Sequence, residues 1–361
     1  MRFAFYYPGA TGGHSGVVAA IAAWVRALLA AGHEVAVLHA GRPPTEPRYG
    51  DADLRAVRHV GRGRPTLVPV DLAAALRDTD VLVLNEAWFI ANLVAARAAR
   101  HAGVPYVVIP HGVYDPAWIN HLKPPRAPRR ALESAVLRSA AAVHAFFPAE
   151  AAHARLLEPS VRSVVAPMGF ELPEDRWQPG GDYLAWYGRY AVAHKGLELM
   201  LRALAVLPAG RRPPLRMHGI DYEGGFGRTR ELVAELGLAD HVTVAGPIFG
   251  ARKRDFVLGC AGFVQPSNWD SIPITVAENL ALGVPCLVSD RINPAPYLAA
   301  EDAAVVTSLD QDALAAALAE FPGRGAAYSE RGRAFVAKHF DWADIVPSYL
   351  DQISAVLGVR A

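Results

Sequence analysis

The stretch GFELPEDRWQPGGD, residues 169–182, divides the sequence into two halves of similar length. It is rich in proline, glycine and acidic residues and lacks helical or strand periodicity, which is typical of a segment that joins two domains. On each side of it, short apolar runs alternate with amphipathic helical stretches. This alternation predicts an α/β protein with two Rossmann-like domains, each built on a doubly wound parallel sheet.

The apolar runs upstream of the division include RFAFYY (residues 2–7), DVLVLNE (80–86) and VPYVVIPHG (104–112). Downstream, YLAWYG (183–188) and GFVQPS (262–267) continue the pattern. They are mostly apolar throughout rather than alternating with polar residues, as expected of strands that helices cover on both faces.

The expected domains are residues 1–168 and 169–340, followed by a final helix within 341–361. Doubly wound domains bind ligands at the carboxyl ends of their strands. Two such domains that face each other predict a central cleft as the ligand site.

Composition excludes several classes of protein. The 361 residues carry a net charge of +1 and are 52% hydrophobic, which suits globular cores rather than disorder. The only two cysteines, Cys260 and Cys286, lie in apolar stretches and form no disulfide framework, so a reducing, cytoplasmic location is expected. The sequence shows no signal peptide, membrane span or nucleic-acid-binding motif.

The charge is unevenly distributed. Residues 1–165 contain 18 Lys+Arg and 12 Asp+Glu, whereas the remainder contains 18 and 23. The basic first half could contact an anionic partner or, weakly, a membrane surface, and the run KPPRAPRR (residues 123–130) is the densest part of it. A merely solvated loop is the alternative interpretation of that run.

The first loop, PGATGGHSG (residues 8–16), follows a strand and opens a helix. Its glycines do not form the G-x-G-x-x-G pattern, and the next strand, VAVLHA, is not followed by an acid that could hold an adenine ribose. A nicotinamide-dependent oxidoreductase is therefore disfavoured. The loop is either a tight strand-to-helix turn or a phosphate or sugar contact.

Two cations lie close together in GRYAVAHKGLELML, residues 188–201. Arg189 follows a strand, and Lys195 is expected to begin a helix after a short loop. An arginine fork and a mobile lysine at one strand-to-helix crossing suit a diphosphate. Ordinary surface charge is the alternative.

Two carboxylates flank a helix start in SNWDSIPITVAE, residues 267–278. Glu278, in the first turns of the helix, could accept hydrogen bonds from both hydroxyls of a ribose, and Asp270 from the hydroxyls of a sugar. Thr275 and the backbone amides between them would lie at a diphosphate. The alternative is a helix-capping aspartate and a solvated glutamate.

These segments resemble the retaining glycosyltransferases of family 4, which have the GT-B fold. GGHSG is similar to that family's glycine loop, and VIPHGVYDPAW to its PHG segment. GRYAVAHKGLELML is similar to its G-R…K-G motif, and QPSNWDSIPITVAENLALGVPCLVSD to its region with two acids. The ending FDWADIVPSYLDQI resembles its terminal helix, which returns to the N-terminal domain.

The resemblance implies catalytic roles for four residues. Arg189 and Lys195 would bind the donor diphosphate, and His111 would lie near the transferred sugar. Asp270 stands where the family usually has glutamate, so its shorter side chain would alter the sugar preference. Glu278 would hold the nucleotide ribose.

Further contacts complete the expected site. The other donor-binding residues implied by the resemblance are Gly13, Gly219, Ile248, Ser271, Ile272 and Thr275. The candidate residues for acceptor binding are Gly13, His14, Tyr114, Asn120 and His121.

The implied reaction moves a sugar from a nucleotide-diphosphate sugar to a hydroxyl of a sugar, aminocyclitol, lipid or secondary metabolite, with retention of anomeric configuration. The departing diphosphate would take the acceptor's proton, and the cations would stabilise its charge. No cofactor and no metal are expected. The alternatives are another nucleotide-sugar enzyme, such as an epimerase or hydrolase, and a non-catalytic nucleotide-sugar-binding protein.

Overall fold

The structure is a computed structural model that describes residues 1–9, 13, 15–41, 47–61, 67–122 and 125–358. The chain forms two compact units. The first comprises Met1–Gly169 and the segment from Trp342 onward, and the second comprises Phe170–Asp341.

The first unit is built on a parallel sheet. The strands are β1 (Arg2–Tyr7), β2 (Glu34–His39), β3 (Asp53–Ala56), β4 (His59–Val60), β5 (Val68–Pro69), β6 (Val81–Asn85), β7 (Tyr106–Ile109), β8 (Ala142–Ala145) and β9 (Ser163–Val165). Within the described residues, the main sheet has the order β3-β2-β1-β6-β7-β8-β9, and β4 and β5 pair separately as antiparallel strands. The helices are α1 (Gly16–Ala30), α2 (Leu72–Ala75), α3 (Ile90–His101), α4 (Pro116–Asn120), α5 (Arg126–Ser139) and α6 (Pro148–Leu157).

Helix α1 shows how the sequence forms these elements. The Ser15 hydroxyl accepts a hydrogen bond from Val18 N at 3.2 Å and so caps the first turn. Val18, Ile21, Val25 and Leu28 recur at helical spacing and are buried. Full burial of each such side chain stabilises the fold by about 1.5–3 kcal/mol.

The second unit repeats the design. Its strands are β10 (Leu184–Arg189), β11 (Leu215–Ile220), β12 (Val242–Ala245), β13 (Gly262–Gln265), β14 (Cys286–Ser289) and β15 (Val305–Thr307). Its helices are α7 (Leu197–Val206), α8 (Gly225–Glu235), α9 (Gly250–Leu258), α10 (Ile274–Ala281), α11 (Ala295–Ala300), α12 (Gln311–Arg324) and α13 (Ala326–His339), with a short 3-10 helix at Ala209–Arg211.

The order of the second sheet is β12-β11-β10-β13-β14-β15, and the paired strands are parallel. The chain therefore moves outward from β10 in one direction and then from β13 in the other. Ligands of open α/β sheets bind beyond the carboxyl ends of the strands at this switch point. The predicted fold class, two doubly wound α/β domains, is confirmed.

The last helix, α14 (Trp342–Leu357), belongs to the first unit. The Tyr349 ring lies 4.7 Å from the Trp24 ring, centroid to centroid. The Gln352 side chain both accepts from Val165 N at 2.9 Å and donates to Val165 O at 3.1 Å. The return of the terminal helix to the first domain is thus fixed by aromatic packing and a paired hydrogen bond.

Two local features differ from the sequence-based expectation. The helix expected from Lys195 begins at Leu197, because Gly196 has φ +62° and is not helical. The sequence does not predict the short strand Asp53–Ala56, because its four residues are largely exposed and lack an apolar run. Across the described residues, no helix has both the length and the apolar character needed to cross a membrane.

Candidate functional site

The loops that follow β10 and β13, together with helix α10, carry most of the predicted donor-binding residues. These strands are hydrogen-bonded neighbours at the switch point of the second sheet. The two loops are tied together, since Asn268 N donates to His194 O at 2.9 Å and Asn268 Nδ2 donates to Ala193 O at 2.5 Å.

Gly196 allows this close approach. A Cβ atom at this position would lie 1.9 Å from the Pro266 carbonyl oxygen, and the φ of +62° is unfavourable for other residues. Glycine therefore places Lys195 beside the loop that follows β13.

Lys195 and Asp270 form an ion pair. The Lys195 Nζ atom lies 2.5 Å from Asp270 Oδ2, and the two side chains are only 13% and 14% exposed. Gln265 Nε2 and Ser267 Oγ donate to the same oxygen, at 3.1 and 3.2 Å. Burial alone would raise the pKa of Asp270, but Lys195 and the hydrogen bonds outweigh it and hold the pKa below its ordinary value. The carboxylate is charged and its orientation is fixed.

His194 lies against this ion pair and was not singled out from the sequence. Its ring stacks on Trp269 with centroids 4.8 Å apart, and its Nε2 atom lies 4.0 Å from Asp270 Oδ2. Burial, with the charge of Lys195 beside it, lowers the pKa of His194 to about 3. A neutral imidazole therefore neighbours the charged pair.

Glu278, on α10, is held from two sides. Its Oε2 atom accepts from Tyr187 Oη at 3.0 Å and from Lys253 Nζ at 2.9 Å. Asn279 Nδ2 donates to the Tyr187 hydroxyl at 2.9 Å. Burial, with the Glu278 charge beside it, raises the pKa of Tyr187 well above its ordinary value, so Tyr187 remains a donor.

Four further predicted donor residues lie on β10, in the loop after β13 and on α10. Arg189 ends β10 and is exposed, with its guanidinium 5.0 Å from the centre of the Tyr222 ring. Thr275 Oγ1 donates to Gln265 Oε1 in a short hydrogen bond. Ser271 and Ile272 are buried beside Asp270.

Gly219 lies within β11, and Ile248 follows β12. A Cβ atom on Gly219, near the end of β11, would lie 2.2 Å from Gly188 O, so only glycine fits there. Ile248 lies half-buried in the loop between β12 and α9.

In the first unit, His111 follows β7 and has φ +53°. Its Nε2 atom lies 3.1 Å from Asn85 Oδ1. The Asn85 amide donates to the carbonyls of Tyr6 and Val83, both at 3.3 Å, which assigns Oδ1 as the acceptor and Nε2–H as the donor. Burial lowers the pKa of His111 to about 3. Its Nδ1 atom therefore carries a lone pair.

The predicted acceptor-binding residues have different environments. Tyr114 is buried, and its hydroxyl donates to Glu133 Oε1 at 2.5 Å, so Tyr114 attaches its loop to α5. Asn120 and His121 are exposed at the end of α4. Gly13 O accepts from Arg48 at 2.6 Å, and His14 lies outside the described residues.

Sequence reasoning missed residues that act through another side chain. Asn85 orients His111, Tyr187 and Lys253 contact Glu278, and Gln265 contacts Asp270. Asn85 and Gln265 are polar residues at the ends of otherwise apolar strands, which is a signal that the sequence does offer. Lys253 offers none, because it is one of several cations on α9.

Comparison with known proteins identifies the family. Residues 173–323 match the family model described as Glycosyl transferases group 1, and residues 15–169 match the model described as Glycosyl transferase 4-like domain. Together the two matches span most of the chain. A comparison with curated protein sequences finds no match.

Solved structures with the same fold are distant in sequence. Sucrose-phosphate synthase from Thermosynechococcus elongatus is 18% identical with a TM-score of 0.77, and the match covers 99% of each chain. HepE from Anabaena, solved with UDP and glucose, is 15% identical with a TM-score of 0.78, covering 98% of this chain and 100% of that one. The lipopolysaccharide outer core galactosyltransferase WaaB is 13% identical with a TM-score of 0.69, covering 99% of each chain.

These likenesses establish a shared architecture of two Rossmann-like domains, and the two family models assign both halves of the chain to one class of enzyme. The chain therefore belongs to the group 1 glycosyltransferases of the GT-B fold.

Proposed function

We propose that the protein transfers a sugar from a nucleotide-diphosphate sugar to a hydroxyl acceptor, with retention of anomeric configuration. The observation that carries this proposal is the convergence of Lys195, Asp270 and their hydrogen-bond partners at the switch point of the second sheet. A fixed cation and a fixed carboxylate side by side suit a ligand that joins a diphosphate to a sugar.

Each end of the donor has a matching group. Lys195 and Arg189 bind the diphosphate, Glu278 binds the ribose, and the Asp270 carboxylate accepts from a sugar hydroxyl. Lys195, Gln265 and Ser267 all donate to Oδ2 of Asp270, which leaves Oδ1 to accept from the sugar. HepE was solved with UDP and with UDP-glucose, so uridine diphosphate conjugates are the first donors to test.

Transfer proceeds on one face of the sugar. The bond from the anomeric carbon to the diphosphate oxygen breaks, and the bond to the acceptor oxygen forms on the same side. The acceptor proton moves to the departing diphosphate oxygen. Arg189 and Lys195 stabilise the charge on the leaving group without a metal ion, and His111 contacts the sugar during transfer.

The first experiment compares donor binding and turnover. A thermal-shift screen against UDP-, GDP-, ADP- and dTDP-glucose identifies the donor nucleotide, because a ligand at 100 times its dissociation constant stabilises the protein by about 2.7 kcal/mol. Arg189→Ala and Lys195→Ala should each lower turnover by about 10²–10³-fold. Near-wild-type turnover in either variant would remove the diphosphate assignment.

Two further measurements separate the alternatives. Activity should persist after exhaustive chelation. If chelation abolished activity and Mn²⁺ or Mg²⁺ restored it, Arg189 and Lys195 would not be sufficient to stabilise the leaving group without a metal ion. An epimerase or hydrolase would convert the donor fully without acceptor, and a non-catalytic binding protein would bind the donor without turnover.

The basic first unit carries a second proposal: contact with an anionic membrane surface in the cytoplasm. In the segment 126–158, the three carboxylates (Glu133, Glu150 and Glu158) are buried, whereas most of the arginines are exposed. Leu156 is 65% exposed on the same segment. Sedimentation with vesicles of phosphatidylcholine and phosphatidylglycerol should be lost in high salt and in the double variant Arg126→Gln/Arg130→Gln. Equal binding to neutral vesicles would contradict this proposal.

A further inference from the structure

The loops after β6 and β7 hold three non-glycine residues in the left-handed region. Glu86, Trp88 and His111 have φ values of +65°, +70° and +53°. Each such residue costs about 1–3 kcal/mol and persists only where its surroundings hold it in place, which is common at binding sites. The two loops start side by side, since Glu86 N donates to Ile109 O at 2.9 Å.

A buried carboxylate on α5 holds both loops. Glu133 is 2% exposed; its Oε2 accepts from Trp88 N at 2.9 Å, and its Oε1 accepts from Tyr114 Oη at 2.5 Å. The Trp88 indole N–H donates to Val113 O at 2.9 Å. Trp88 is therefore held by hydrogen bonds to both its backbone and its ring. Packing against the core alone would not need either bond.

The fixed indole stacks on a second indole, that of Trp118 on α4, so the two rings cover each other's inner faces and a ligand can stack only on an outer face of the pair. The rings of Trp88 and Trp118 stack with centroids 6.0 Å apart and an angle of 14° between their planes, and both side chains are partly exposed. Ile90, the first residue of α3, is 41% exposed. Asn120, two residues beyond Trp118, is exposed and offers both a donor and an acceptor. We call Trp88 and Trp118 the tryptophan platform.

We propose that the tryptophan platform binds a pyranose ring of the acceptor, which makes the acceptor a saccharide. One face of a pyranose presents C–H groups with a slight positive charge, and the face of an indole is negative, so the two surfaces attract each other. The hydroxyls at the ring edge need polar partners, and His111 and Asn120 lie in the segment after β7 that also carries Trp118. This inference rests on the proposed function and names the acceptor class for it.

The test is saturation-transfer NMR on the full chain with methyl α-D-glucopyranoside, methyl α-D-mannopyranoside and maltose as probes. We expect saturation of C–H protons on one face of the ring. D-Glucitol, which has similar hydroxyls but no ring, should give no signal, and 4-nitrophenol tests a flat aromatic acceptor instead.

Variants at Trp118 separate the aromatic face from simple bulk. Trp118→Leu keeps an apolar side chain and should lose the signal, whereas Trp118→Phe should keep part of it. Val206→Ala, on the exposed side of α7, is the matched control and should match the wild-type signal. Circular dichroism of each variant confirms that it is folded.

The outcomes are decisive for this inference alone. No saturation of any ring saccharide, an equal signal from D-glucitol, a signal from 4-nitrophenol only, or an unchanged signal in Trp118→Leu would each overturn it. Failure of the nucleotide-sugars to bind would instead contradict the proposed donor site in the second unit, which the tryptophan platform does not share.

Discussion

Lys195 and Asp270 contact each other at 2.5 Å, although the sequence suggests that they bind different parts of one ligand. The lysine follows β10 and the aspartate follows β13, and Gly196 lets the two loops meet. The cation that attracts a diphosphate is therefore partly neutralised by the carboxylate that would hold the sugar. Substitutions at these two positions are expected to be coupled.

Removal of the Asp270 charge should affect the two ends of the donor in opposite directions. In Asp270→Asn, Lys195 loses its anionic partner, so affinity for a free nucleoside diphosphate should rise by about three- to tenfold, or about 0.7–1.4 kcal/mol. Turnover of the intact donor should fall, because a hydroxyl of the sugar loses the carboxylate that accepts its hydrogen bond. Calorimetric titration with UDP and UDP-glucose measures the first effect. A fall in affinity for UDP would show that the ion pair organises the phosphate site instead.

Glu278→Gln should weaken the binding of the nucleotide itself. A charge-assisted hydrogen bond contributes about 1.5–3 kcal/mol, so affinity for UDP should fall at least about tenfold. Wild-type protein should prefer UDP to 2′-deoxy-UDP, and the variant should not. Lys253→Met is the matched control, because it removes the other half of the 2.9 Å ion pair but leaves the carboxylate. A preference for the ribose that survives in Glu278→Gln would place the ribose elsewhere.

Gly196→Ala tests the junction of the two loops. Its Cβ would lie 1.9 Å from Pro266 O at a φ of +62°. We expect a lower melting temperature and the loss of UDP binding, since Lys195 would move away from its site. Gly210→Ala is the matched control, because no atom lies within 4 Å of a Cβ there. If both variants bind UDP equally well, the loop junction does not position Lys195.

Asn85→Asp should introduce a pH dependence of turnover. In the wild type, burial lowers the pKa of His111 to about 3, so its neutral form persists down to about pH 4. A carboxylate at position 85 would raise that pKa, and turnover should then fall as the pH drops through the raised value. Profiles of rate against pH from 4.5 to 8 for both proteins measure this. Parallel profiles would show that the 3.1 Å contact does not set the protonation of His111.

The buried histidines predict acid sensitivity of the fold. Burial lowers the pKa of His144 to about 4, whereas a histidine in the unfolded chain has a pKa near 6.5. The unfolded state therefore binds more protons between these values, so this part of the stability is complete above pH 6.5 and is lost as the pH falls toward 4. His144→Asn should reduce the slope of unfolding free energy against pH by up to about 1.4 kcal/mol per unit. Urea unfolding at pH 6.5, 5.5 and 4.5 measures the slope, and exposed His101→Asn should leave it unchanged.

The sequence by itself determined the architecture and the residue types of the donor site. Continuous apolar runs such as DVLVLNE specify buried parallel strands, because a strand covered on both faces has no polar side. A polar residue directly after such a run lies at the carboxyl edge of the sheet, which is why Arg189 could be picked out along the chain, whereas the role of His111 rests on the resemblance to family 4.

The tertiary structure alone decided which groups meet and in which protonation state. Contacts such as Lys195 with Asp270, or Glu133 with both Trp88 and Tyr114, join residues from separate segments of the chain, and linear spacing does not encode them. Burial then sets the chemistry: it keeps His111 and His194 neutral, because a charged imidazole loses its hydration inside the protein. The sequence places Tyr114 and Trp118 a few residues after His111, and only packing distinguishes the buried Tyr114 from the partly exposed Trp118.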